Sequence, residues 1–244
     1  MRVHKNKILI TGATAGIGAV LLQTFLDLDT EVIAVGRNES KLEELSKADK
    51  RIIPFKCDIS RQEELDRLTL FVEQEHQDLN ILINNAGIQY NYKFGDEHQL
   101  LHKIEQEITV NLLVPLKLIT LLLPTLQLND NSAIVNISSG LAIVPKAQAP
   151  VYCGTKAAIH IFSKALRYQL DQVKVFEIIP PIVDTAMTAG RGKGKIPPQK
   201  LVDEFIKAFK KDKYEVNIGK VKLLRVINRI SPSLADRIMK GITP

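Results

Sequence analysis

Apolar residues fall into two alternating rhythms along this chain. Short, nearly unbroken runs rich in β-branched residues lie at 7–11 (KILIT), 31–35, 52–56, 81–84, 133–138 and 173–179. Such runs predict strands covered on both faces. Between them, 17–28, 39–47, 62–76, 97–126 and 151–170 place apolar residues at i, i+3 and i+4, the period of helices with one buried face. Repeated βα units predict an α/β fold, a doubly wound parallel sheet with right-handed crossovers, in one domain over residues 1–244. The rhythm breaks at 180–198, which holds four prolines, three glycines and the run GRGKGK. That stretch predicts a mobile loop, about 185–198, beside a site. Beyond it, 199–211 reads as helix, 214–218 as a last strand, and 221–240 as a helical end broken near Pro232.

Composition adds little to fold but limits function. At 244 residues, the chain can bury a core without staples, and its two cysteines, Cys57 and Cys153, have neither zinc nor disulfide spacing. A reducing, cytoplasmic setting is expected. Gly12, Gly16 and Gly18 interrupt any N-terminal apolar core, and Pro115, Lys117 and Pro124 break the run 112–123, so neither a signal peptide nor a spanning helix is expected. Charge is uneven: residues 190–244 carry 14 Lys/Arg against 5 Asp/Glu, within a whole-chain balance of +6. A basic segment can meet nucleic acid or anionic lipid, or be a solvated face. No nucleic-acid-binding signature accompanies it, and no nucleic-acid partner is expected.

The stretch TGATAGIG (residues 11–18) follows the first strand and opens the first helix. Glycines there let the backbone turn sharply and approach a pyrophosphate, with helix N–H groups facing the anion. Gly12, Thr14, Gly16, Ile17 and Gly18 are therefore candidate cofactor residues, in the spacing G-x-x-x-G-x-G. The second strand ends Val35-Gly36-Arg37-Asn38, with glycine where an acid would accept from a free ribose 2′-OH. Arg37 can instead take a 2′-phosphate bidentately, so NADP(H) is preferred, with NAD(H) the alternative.

Tyr152 and Lys156 stand four apart on a predicted helix and so share a face. A nearby ammonium is expected to lower the phenol's pKa and suit it to proton transfer with a carbonyl or alcohol oxygen. Ser139 stands where a strand ends, so its hydroxyl can polarise that oxygen; neighbouring Ser138, facing the other way, is the competitor.

Taken in order, TGATAGIG, Cys57-Asp58-Ile59, Asn84-Asn85-Ala86-Gly87, Asn111, Ser139 and Tyr152-Cys153-Gly154-Thr155-Lys156 resemble the short-chain dehydrogenase/reductase family over about residues 5–190. The resemblance implies a Rossmann-like fold, with Tyr152 as acid/base, Ser139 positioning the substrate oxygen and Lys156 holding the nicotinamide ribose. It implies that Asn111 sits at a helix kink and holds a water through its carbonyl. It also implies that Asp58 and Ile59 lie by the adenine, Asn85 and Gly87 by the ribose, and Val183 and Thr185 at the carboxamide. Pro181 departs from the family's usual glycine, and Gly154 from its commoner alanine. The C-terminal part, about 199–244, departs from the common ending and is similar to a subgroup named for association with teichoic-acid D-alanylation genes.

The implied activity is hydride transfer between nicotinamide and a carbonyl or alcohol carbon of a small-molecule substrate, by a homodimer or homotetramer paired through 97–126 and 151–170. Two other readings stay open: a nucleotide sensor without turnover, and a peripheral membrane protein. The second would use 221–240, where Leu223, Leu224, Val226, Ile227 and Ile230 interleave with Lys222, Arg225 and Arg229. No metal site is expected. The substrate pocket is expected from 88–94, 141–150 and 185–198, with Lys193 and Lys195 hinting at an anion.

Overall fold

A computed structural model of the chain describes residues 1–95 and 99–240. Seven strands, β1 (Lys7–Thr11), β2 (Glu31–Gly36), β3 (Ile52–Lys56), β4 (Ile81–Asn84), β5 (Ala133–Ile137), β6 (Lys174–Ile179) and β7 (Glu215–Asn217), form one parallel sheet in the order β3-β2-β1-β4-β5-β6-β7. The order runs outward from β1 in both directions. The connections after β1 and β4 therefore part to opposite faces and open a crevice at the carboxyl ends of the strands.

The unbroken apolar runs follow from a sheet covered twice. Ile8, Ile10, Val32, Ala34, Val135, Phe176 and Ile178 face one layer, where α1 (Gly16–Leu26), α2 (Glu39–Ala48) and α7 (Pro198–Phe209) contribute Leu21, Phe25, Leu42, Phe205 and Phe209. Leu9, Ile33, Val35, Leu82, Ile134 and Val175 face the other, against Leu65 and Leu68 of α3 (Gln62–Glu75) and Leu118 and Leu122 of α5 (Val114–Gln127). Alternate strand residues thus enter separate cores, so both parities are mainly apolar.

Three expectations are corrected. The helix expected over 97–126 begins, among the described residues, at Leu100; Glu97 lies outside them. It is also interrupted: α4 (Leu100–Ile108) passes through a π-helical turn, Thr109–Leu113, before α5. Together they span Leu100–Gln127, long and apolar enough by length and composition to cross a membrane, contrary to the expectation from its prolines and lysine. Here Val114, Leu118, Leu122 and Leu126 fill the protein core instead.

The C-terminal region forms α8 (Val221–Ile230) and α9 (Pro232–Lys240), divided at Pro232 as the sequence suggests. Val221 and Leu224 pack toward Gly140, while Leu223, Val226 and Ile230 are exposed. Two of its cations are paired within the chain, Lys222 with Glu204 at 2.7 Å and Arg225 with Glu215.

Candidate active site

The turn from β1 into α1 shows why its glycines are needed. Gly12 and Gly16 have φ of +68° and +56°, and a Cβ on Gly18 would stand 2.1 Å from the Gly12 carbonyl oxygen. Only glycine permits that approach. Helix α1 starts at Gly16 with no acidic residue in its first turn, so its N–H groups present positive potential to the crevice. Ile17 is half-buried against the core below. Asn85 fixes the turn from behind: its Nδ2 donates to the carbonyls of Thr11 (2.8 Å) and Gly12 (3.2 Å). The side chain expected to line the ribose is thus engaged with the loop itself, and Thr11 Oγ1 accepts from the Asn85 and Ala86 N–H groups.

At the end of β2, a Cβ on Gly36 would come within 3.0 Å of Thr14 Cγ2. Thr14 occupies the space a carboxylate there would need. Arg37 follows, exposed and without a hydrogen-bond partner among the described residues. Nearby Asp58 accepts from Ser60 N–H and Oγ–H at 3.1 and 2.7 Å. Burial pushes its carboxyl up, but those bonds, with Arg37 and Arg61, outweigh it and hold the group below the usual value. Ile59 beside it is buried.

Helix α6 (Pro150–Arg167) buries Tyr152 and Lys156 on one face. Ser139 stands beside Tyr152 and acts on its phenol, whereas the Ser138 hydroxyl faces away, 3.4 Å from the Ile178 carbonyl. The choice between the serines therefore falls to Ser139. Lys156 Nζ lies 5.8 Å from the Tyr152 ring centroid and donates to the Ile137 carbonyl at 2.8 Å. The expected lowering of the phenol by lysine is not what this arrangement gives. Burial pushes Tyr152 up to about 12, with the Ser139 hydrogen bond opposing, and burial pushes Lys156 down to about 8, with Glu177 opposing. Desolvation dominates because both groups are sealed between α6 and the sheet and the ammonium is aimed at a carbonyl.

Asn111 is buried at the centre of the π-helical turn. Its amide clips the chain after β4, accepting from Ile88 N–H and donating to the Ile88 carbonyl, both at 2.8 Å. A weaker 3.4 Å contact reaches Thr155 on α6. A Cβ on Gly87 would sit 3.1 Å from Asn111 Oδ1 and 3.6 Å from Lys156 Nζ, so glycine lets these groups converge. On the far wall, buried Val183 bridges to Ile196, and Thr185 caps a short turn while its methyl lies against Gly16. The segment 185–198, expected to be mobile, is further laced by Lys195 to the Thr188 carbonyl at 2.6 Å.

Several buried groups were not anticipated. Glu107, fully buried, accepts from Tyr90 N–H at 2.9 Å and Tyr92 O–H at 3.0 Å. Its place four residues before Asn111 on the same helical face is the signal that could have revealed it. Glu177 of β6 meets His160 Nδ1 of α6 at 2.8 Å and Arg167 at 3.9 Å. With Glu215 it has the makeup of a cation site, but Arg225 already pairs with Glu215 and Arg167 adjoins Glu177.

A glycine turn that Cβ atoms would close, a cation at the end of β2, and a buried Ser–Tyr–Lys set in one crevice define a nucleotide-binding oxidoreductase of the doubly wound class. The family model described as short chain dehydrogenase matches residues 6–195. The chain belongs to the short-chain dehydrogenase/reductase family. It is 37% identical over 237 residues to the uncharacterized oxidoreductase DltE of Bacillus subtilis, 94% of each chain being covered. An uncharacterized oxidoreductase of Staphylococcus aureus is 29% identical over 231 residues, covering 91% of this chain and 98% of its own. Among solved structures, a short chain dehydrogenase from Burkholderia cenocepacia in complex with NADP has a TM-score of 0.88 and 26% identity, with both chains fully covered. A Burkholderia phymatum relative in complex with NAD shares the fold, with a TM-score of 0.85 at 16% identity, over 100% of this chain and 98% of its own.

Proposed function

We propose that this protein is an NADP(H)-dependent reductase of carbonyl compounds, with the reverse oxidation of the alcohol open to it. The observation that carries the reading is buried Tyr152 beside Ser139, with Lys156 one helical turn away, at the mouth of a turn shaped for a pyrophosphate. Gly12, Gly16 and Gly18 would hold the diphosphate, Thr14 and Arg37 the 2′-phosphate, Asp58 and Ile59 the adenine, and Gly87, Lys156, Val183 and Thr185 the nicotinamide end. NADPH, when bound, would supply the hydride for the carbonyl carbon. Ser139 donates a hydrogen bond to the carbonyl oxygen, and Tyr152 delivers the proton that completes the hydroxyl. Burial keeps Tyr152 protonated at neutral pH, the state that reduction uses. Lys156 holds positive charge beneath the ring, and Asn111 holds the strand end and helix in register.

Preference for NADP(H) is supported by the filled position at Gly36 and by exposed Arg37. A homo-oligomer is supported by exposed Leu101, Leu113, Ile161 and Tyr168 on or beside the two long helices. The test is a screen of aldehydes and ketones with NADPH, using Tyr152→Phe as the blank. Turnover that falls by roughly 10²–10⁴-fold in the variant is expected for loss of a general acid. Equal rates in both proteins would sink the assignment.

A further inference from the structure

The three segments expected to frame the reaction crevice, 88–94, 141–150 and 185–198, are joined by one chain of polar contacts. Arg191 Nη1 donates to the Gln89 carbonyl at 3.4 Å, and Gln89 Nε2 donates to Asn91 Oδ1 at 3.3 Å. The same Asn91 oxygen accepts from Lys146 Nζ at 3.1 Å. Lys146 is also tied to the catalytic helix, since its carbonyl accepts from the thiol of Cys153, the neighbour of Tyr152, at 3.9 Å. Two cations from different segments therefore converge on residues two apart in a third.

Neither Lys146 nor Arg191 has a carboxylate partner among the described residues. Both are half-buried, unlike exposed Lys193 in the same loop. Burial, then the charge of Arg191, lowers the Lys146 ammonium, as expected of like charges held together away from water. The loop is also built to place Arg191. Gly190 and Gly192 flank it with φ of +70° and +60°, and a Cβ on Gly192 would stand 2.5 Å from Ile182 Cδ1. A turn that glycine makes without strain holds Arg191 half-buried. Lys195, by contrast, is tied to Thr188 and Asp184. Half-desolvated cations without a carboxylate partner are a recognition element for an anion, most of all where one is a planar guanidinium.

We propose that Lys146 and Arg191 form an anion subsite of the reaction crevice, and that the substrate carries a carboxylate or phosphate remote from the reacting carbonyl. The inference rests on the oxidoreductase reading above. It moves substrate selection from Lys193 and Lys195, the residues the sequence suggests, to a pair separated by 45 positions along the chain.

The test is calorimetric titration of the full chain saturated with NADP⁺, which permits no carbonyl reduction. The ligands are 4-acetylbenzoate, its methyl ester and 4-acetylphenyl phosphate. At least one anionic ketone should bind about tenfold or more tighter than the ester, the scale of one charge-assisted hydrogen bond. The better anion distinguishes carboxylate from phosphate. In Lys146→Met/Arg191→Met, the ratio of anion to ester affinity should fall to near one, and Lys146→Arg should keep most of it. NADP⁺ affinity of each variant reports an intact fold. Equal binding of anion and ester by the native chain, a preference that survives the double substitution, or no binding of either anion at millimolar concentration would each overturn the subsite. Failure to bind NADP⁺ at all would instead overturn the reading beneath it.

Discussion

At the scale of single residues, the site is governed by desolvation. Tyr152 and Lys156 move in opposite directions because burial disfavours the charged form of each, a phenolate in one case and an ammonium in the other. Below about pH 8 both protons needed for reduction are present; as pH rises, Lys156 loses its proton first. The kcat/KM for carbonyl reduction should therefore be level at neutral pH and fall as pH passes about 8. A rate that climbs with pH through that range would contradict this ordering. The identities at the centre of the site were legible from spacing, because Tyr152 and Lys156 lie one turn apart and Ser139 ends a strand. The balance of their environments was not. A four-residue spacing places a lysine beside a tyrosine, but only the fold reveals that its ammonium reaches the Ile137 carbonyl. Likewise the half-buried pair Lys146 and Arg191 looks in sequence no different from the solvated lysines around it.

At the scale of elements, each strand and helix was readable wherever burial imposes a period. The sheet was legible because both parities of β1, β2, β5 and β6 are apolar. The π-helical turn at Thr109–Leu113 was not, since one wider turn leaves the apolar pattern on either side almost continuous. Asn111 hinted at a kink but could not specify its form. Glycines divide by the same logic of space. In Gly18→Ala the new methyl meets the Gly12 carbonyl, so NADPH affinity should drop by at least about tenfold, or about 1.4 kcal/mol. Gly154 is exposed in α6, and its Cβ would meet nothing within 4 Å. Gly154→Ala should stabilise the protein by roughly 0.5–1 kcal/mol through helix propensity alone. Urea unfolding and fluorescence titration of the two variants check the contrast; similar behaviour would contradict it.

At the scale of the whole molecule, chemistry gathers at one end of the sheet, although a depression of about 470 Å³ lies at the other. That depression is ringed by Arg2, Lys5, Lys7, Glu31, Arg51 and Asp78, and two of its cations are paired with acids, Lys7 with Asp78 at 2.8 Å and Arg51 with Asp49 at 2.6 Å. The crevice at the carboxyl ends instead holds the glycine turn and the buried Ser–Tyr–Lys set. Its back is α6, whose outer face exposes Ile161 to 63%. Light scattering should give a dimer or tetramer that Ile161→Glu dissociates; a monomeric native chain at micromolar concentration would refute the pairing. The central claim, an NADP(H) site shaped by the β1 turn and Arg37, is tested most directly by fluorescence titration with NADPH and NADH, beside Arg37→Ala. The account predicts tighter binding of NADPH than of NADH, with Arg37→Ala weakening NADPH alone. NADH binding as tight as NADPH, or an Arg37→Ala protein that keeps its preference, would contradict it.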